Sequence, residues 1–302
     1  MKKNFFQLNL FVGILIFLLA VALLGLGSSF MKVWFYCFAW WSFILFMDGL
    51  NFRKNKTSPL AENPWLFHST AFFSVFIWLI FDLFNLRLEN WSYHNLPPNL
   101  GERWLGYFIA FGSVVPAIKE ISFYFESVLK GKKAALFQIK VSTLMLKIFF
   151  LLGLSFVFLP IFWPNLFFPL VWLCFIFLLE PLNYWLKNET LLADLEQRDW
   201  SRVWSWVLAG LVAGILWELF NFWAGTHWEY NLPYLNFGRV FQMPVLGYTG
   251  FMPFALEIFA FYHLLAGLYR KLKKRIILST ALLLIGFYIG CFYLIDAFTV
   301  VK

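Results

Sequence analysis

Apolar runs of about twenty residues recur along the whole chain, and a hydrocarbon core about 30 Å thick is spanned by a helix of that length. Nine such runs are read at 8–27, 32–51, 65–87, 104–129, 142–163, 166–186, 203–223, 243–268 and 276–298. With 62% hydrophobic and 13% charged residues, little polar sequence remains for a soluble domain. The expected fold class is therefore all-α: a polytopic transmembrane helical bundle of about nine spans.

Inside those runs, polar residues come twice in the same order. The first series is Asp48 with Asn51, Asp82 with Asn85, Trp91 and Tyr93 running into Asn95 and Pro97, then Pro116 and Glu120. The second is Glu180 with Asn183, Glu218 with Asn221, Trp228 and Tyr230 running into Asn231 and Pro233, then Pro253 and Glu257. Matching residues are 132–137 positions apart throughout. Four spans return a chain to its starting side, so the halves are expected as parallel four-helix repeats, 1–130 and 131–270, with a C-terminal helix in 271–302. Parallel repeats imply a pseudo-two-fold axis along the membrane normal. The matched acids then converge on one cavity or form two similar pockets, and spacing alone does not choose.

The net charge of +8 does not indicate nucleic acid. Lys2 and Lys3; Arg53, Lys54 and Lys56; Lys130, Lys132, Lys133 and Lys140; Lys187, Arg198 and Arg202; and Arg270, Lys271, Lys273, Lys274 and Arg275 fall on one side of a nine-span chain. The positive-inside rule makes that side cytoplasmic, with the N-terminus inside and the C-terminus outside. A bacterial inner membrane is the expected location. The first run exceeds an ordinary signal-peptide core and is expected as a retained helix.

Carboxylates in apolar helices cost several kcal/mol unless paired or functional. Asp82, Glu120, Glu218 and Glu257 are the candidate catalytic acids. Asp48, Asn51, Asn85, Trp91, Tyr93, Glu180, Asn183, Asn221, Trp228 and Tyr230 are the candidate substrate-binding residues. Each Asn lies three residues after its acid, on the same helical face, where it is expected to orient the carboxyl. Pro116 and Pro253 are expected to kink their helices four residues before the acid. A carboxylic acid kept neutral in an apolar cavity donates a proton, which is general-acid chemistry. The competing reading is that these groups only tie helices together.

No metal or cofactor is expected: His68, His94, His227 and His263 are not spaced as ligand pairs, and Cys37, Cys174 and Cys291 are scattered. No acidic diphosphate-binding run or phosphate-cradling loop occurs.

The stretch Glu218, Asn221, Gly225, Trp228 and Tyr230, followed by Pro253, Glu257, Phe261 and Tyr262, resembles the integral-membrane lycopene cyclase domain. Membrane carotenoid hydratases and terpene cyclases with a Trp-Glu pair, here Trp217-Glu218, are similar at greater distance. The chain differs in having a single Glu four residues after the proline and Glu89-Asn90 in place of the first-half glycine. The resemblance implies an isomerase-like, non-redox reaction on an isoprenoid, as in carotenoid biosynthesis: an alkene is protonated, then a ring closes or water adds. It makes Asp82, Glu120, Glu218 and Glu257 the matching acids and a membrane lipid or isoprenoid the partner. The alternative from the residues alone is a transporter or binding protein for a small or lipidic solute, with the same carboxylates coupling protons.

Overall fold

The computed structural model describes residues 2–130, 137–271 and 274–301. In chain order the elements are α1 (Lys2–Gly25), α2 (Ser29–Asn55), α3 (Pro59–Glu62), α4 (Pro64–Leu88), β1 (Trp91–His94), α5 (Leu100–Gly112) and α6 (Val114–Leu129). Then come α7 (Thr143–Phe162), α8 (Pro164–Phe167), a 3₁₀ turn (Phe168–Trp172), α9 (Cys174–Trp185), α10 (Leu191–Glu196), α11 (Ser201–Trp223) and β2 (His227–Tyr230). The chain ends with β3 (Arg239–Val240), β4 (Met243–Pro244), a 3₁₀ turn (Val245–Gly250), α12 (Phe251–Lys271) and α13 (Lys274–Phe298). Of the basic residues used to orient the chain, Lys132, Lys133 and Lys273 lie outside the described residues, as do the side chains of Lys2, Lys3, Lys274 and Arg275.

Among the described residues, eight helices are long and apolar enough to cross a membrane, or nine if the pair Pro164–Trp172 and Cys174–Trp185, bent by 40°, counts as one. Their burial separates them into two groups. The apolar stretches of α1, α7 and α13 are 22%, 17% and 22% buried, whereas α2, α4, α5–α6, α11 and the α12 span are 44–61% buried. The three apolar helices therefore flank an inner set that carries the polar residues, as expected where lipid is the outer solvent.

Two expected single spans are broken, at Ser113 and before α9. The span expected at 104–129 is α5 and α6, meeting at Ser113, and Pro116 is the third residue of α6 rather than an interior kink. First-turn N–H groups have no intrahelical partner, so a proline there removes nothing from the ladder. Pro253, third in α12, follows the same rule. The break is closed by Ser74 of α4, whose hydroxyl donates to the Phe111 carbonyl and accepts from Val115 N at 3.0 Å. Irregular backbone at membrane depth is tolerated where side chains satisfy it in this way.

Small residues set the closest helix approach. A Cβ on Gly210 would meet the Phe251 carbonyl and Ala255, and one on Gly214 would meet the Phe251 ring. Those two glycines seat α11 directly on α12.

Candidate functional site

β1 and β2 form an antiparallel ribbon joining the two halves, with Trp91 opposite Tyr230 and Tyr93 opposite Trp228. Side chains alternate across a strand. Trp91, Tyr93, Trp228 and Tyr230 therefore share one face, and Ser92, His94, His227 and Glu229 the other. On the far edge of β1, Tyr93 N donates to Thr299 O and Val301 N donates to Tyr93 O, both at 2.9 Å. The residues after α13 thus add a single parallel bridge, Tyr93 to Val300, on the β1 edge of the ribbon.

The Asn residues fix this ribbon. Asn85 donates to Trp91 O at 2.8 Å and accepts from Asn90 N and Trp91 N. Asn221 donates to Trp228 O at 2.8 Å and accepts from Trp228 N at 2.9 Å. The expectation that each Asn orients the acid on its own helix is corrected here. A side chain at a helix C-terminus faces the turn that follows, and the exposed backbone groups of that turn are its partners.

The acids are held by the ribbon instead. Asp82 Oδ1 accepts from the Tyr93 hydroxyl at 2.9 Å and from Trp91 Nε1 at 3.0 Å. Glu218 Oε1 accepts from the Tyr230 hydroxyl at 2.9 Å. Both carboxyls are buried, and among the described residues Asp82 Oδ2 and Glu218 Oε2 have no donor. Burial pushes the Tyr93 and Tyr230 phenols well above their ordinary range, and the adjoining Asp82 and Glu218 charges add to it. Each phenol therefore stays protonated and can pass a proton along without ionising.

Both tyrosines face cavities. One, of about 80 Å³, is lined by Tyr93 with Tyr36, Cys37, Arg103, Tyr107 and Phe111. The other, of about 230 Å³, is lined by Tyr230 with Trp91, Trp172, Met243, Leu246 and Phe254. Trp78, Trp217 and Trp228 stand in the walls of both. α2 contributes Val33, Trp34, Tyr36 and Cys37 to the first wall, and the 3₁₀ turn before α9 contributes Phe168, Pro169 and Trp172 to the second. The cavities differ in size for a visible reason. In the first half α5 is a continuous helix that brings in Tyr107 and Phe111, while the matching stretch of the second half is a short hairpin and a 3₁₀ turn.

The remaining acids lie apart from these two cavities. Glu257 Oε1 accepts from Phe175 N at 2.8 Å, capping α9 just after the bend. Glu180 Oε2 accepts from Leu192 N at 3.1 Å. Asn183 donates to Ala260 O and accepts from Asn188. Glu120 accepts from Asn51 at 2.7 Å, and Asp48 from Asn9 at 2.7 Å. Lys119 makes no ion pair among the described residues and sits over the rings of Trp206 and Tyr262, at 5.5 and 5.2 Å. No group of three or more His, Cys, Asp or Glu side chains among the described residues is placed to hold a metal.

Sequence reasoning did not single out Trp78, Trp172 or Phe254, which supply much of the aromatic wall. Trp78 stands one helical turn before Asp82, a spacing that places it on the acid's own face. Trp172 and Phe254 carry no local signal, because what brings them inward is the bend before α9 and the seating of α12 on α11. No protein-family model, curated protein or solved structure matches this chain.

Proposed function

We propose that this protein is a membrane-embedded enzyme that acts on an isoprenoid or carotenoid-like lipid by acid-initiated, non-redox cyclisation or hydration, at the Tyr230 cavity. One observation carries the reading: a phenol on the wall of an aromatic cavity is hydrogen-bonded from behind to a buried carboxyl. With Glu218 protonated, its O–H donates to the Tyr230 oxygen and the phenol O–H turns toward the cavity. An alkene carbon takes the phenol proton as the Glu218 proton moves onto the phenol oxygen. The cation closes onto a second double bond or takes up water, and the proton it sheds returns through Tyr230 to Glu218. Protons balance and nothing is oxidised. Trp91, Trp172 and Trp217 present faces that stabilise a cation. An apolar enclosure keeps bulk water from the cation.

Asp82 and Tyr93 are the matching unit of the smaller cavity. This repetition of geometry supports two parallel repeats with a pseudo-two-fold axis. The clustering of Lys and Arg supports an N-terminus inside and a C-terminus outside a bacterial inner membrane. The motif spacing supports kinship with the membrane lycopene cyclase domain.

The test is expression in carotenoid-producing cells with analysis of extracted pigments and terpenes. A cyclised or hydrated product is expected with the wild type and is lost in Tyr230→Phe and Glu218→Gln, both of which should insert normally. An unchanged isoprenoid pool with correctly inserted protein would refute the enzyme. Solute-dependent proton flux in vesicles would then favour the transporter, which uses the same groups without altering its ligand.

A further inference from the structure

Asp48 and Glu120 stand away from both cavities, on α2 and α6, and neither touches a basic side chain at ion-pair distance among the described residues. Both are buried, at 1% and 0% exposure. The side-chain donors at short distance are amides: Asn9 of α1 gives 2.7 Å to Asp48 Oδ2, and Asn51 of α2 gives 2.7 Å to Glu120 Oε2 and 2.9 Å to the Glu120 carbonyl, while the Ser58 hydroxyl and the Leu60 N–H also face Asp48. Asp48 Oδ1, Glu120 Oε1 and Asn51 Oδ1 are left buried with no donor at hydrogen-bond distance among the described residues. Asn51, which bonds Glu120, lies one helical turn after Asp48 on the same face of α2, so the two carboxyls are neighbours. Ionised, both are acceptors only, and two bare carboxylates in contact away from water repel strongly.

The second half shows the contrast. Its matching acids, Glu180 and Glu257, each accept from a backbone amide at the start of a different helix. Neither needs the other. In the first half the Leu60 amide of α3 faces Asp48 in the same way, but no backbone amide among the described residues is bonded to the Glu120 carboxyl, and a proton held between the two acids would supply its missing donor.

We propose that Asp48 and Glu120 form a proton-binding site, an acid–carboxylate pair that holds one shared proton and fastens α1, α2 and α6 together. The shared proton supplies the donor that the geometry lacks. The groups facing the pair are Asn9 from α1, Asn51 from α2, Ser58 before α3, the Leu60 N–H of α3 and Lys119 from α6, whose ammonium is turned onto Trp206 and Tyr262. A desolvated monovalent cation is the competing occupant, and the test separates the two.

Infrared difference spectra of the full-length protein in bilayers, taken in H₂O and D₂O, read the carbonyl stretch of protonated carboxyl groups. Loss of one such deuterium-sensitive band is expected in Glu120→Gln and in Asp48→Asn. Glu120→Gln keeps an N–H donor toward Asp48 and should fold normally. If neither variant loses a band, both groups are ionised and the proposal fails. A second measurement needs no variant: the melting temperature of the wild type is followed as sodium replaces choline at constant ionic strength. No shift is expected for a proton site, and a sodium-dependent rise would overturn it. This site is independent of the proposed reaction, so the pigment assay leaves it untouched.

Discussion

At the residue scale, the polar side chains divide by what each one satisfies. Asn85 provides three hydrogen bonds to the turn leading into β1, all of them buried. Asn85→Ala would orphan Trp91 O and the amides of Asn90 and Trp91. An unsatisfied buried backbone group costs about 1–3 kcal/mol, and partial relaxation brings the sum to about 2–4 kcal/mol. A fall in melting temperature in detergent, together with protease sensitivity at 89–95, is the expected result; an unchanged melting curve would contradict the anchoring role. Asn85→Asp retains the acceptor and loses the donor, and should fall between the two. The duplicated Asn, Trp and Tyr residues were legible from spacing alone. Their partners were not, because the helix-face rule that pairs Asn85 with Asp82 applies within a helix. The bonds formed instead reach forward past the helix end into the ribbon.

At the scale of elements, the sequence shows where apolar length suffices to cross a membrane but not where a crossing is interrupted. Both interruptions, at Ser113 and before α9, lie within uncharged stretches, 104–118 and 148–179, so hydropathy reads straight through them. What the acid of α12 does becomes clear only from the second one. Glu257 caps the freed N–H of Phe175, so its work is done by an acceptor oxygen and needs no charge. Glu257→Gln keeps that oxygen and should hold its stability within about 1 kcal/mol, whereas Glu257→Leu should lose about 2–3 kcal/mol by orphaning the amide. Comparable thermal shifts for Gln and Leu would point instead to a required charge or proton at that position. Packing gives a second prediction at this scale. Gly210→Val puts branched carbons against the Phe251 carbonyl, and the forced separation of α11 from α12 should cost about 1–3 kcal/mol, as overpacking does. Gly106, with open space around its Cβ position, should accept alanine without loss.

At the scale of the whole molecule, the ribbon gathers both halves' aromatic residues at one end of the bundle, while α10 and the turn around Gln197 lie at the other end of α11. At about 1.5 Å per residue, the 23 residues of α11 extend about 35 Å, enough to cross a bilayer. A crossing by α11 would put its two ends on opposite sides of the membrane, with the end near Gln197 inside by the expected charge rule. Single cysteines can report this directly, because native Cys37, Cys174 and Cys291 are all buried and should give little background. Phe237, 62% exposed beside the β3 turn, and Gln197, exposed after α10, are suitable positions. A membrane-impermeant maleimide applied to intact cells should label Phe237→Cys and leave Gln197→Cys unlabelled until the membrane is permeabilised. The reverse pattern would keep the bundle and invert the molecule, moving the basic segments outside. Labelling of both positions in intact cells would be more damaging, since α11 would then not cross at all and the carboxyl of Glu218 would lose the apolar surroundings on which the proposed chemistry depends.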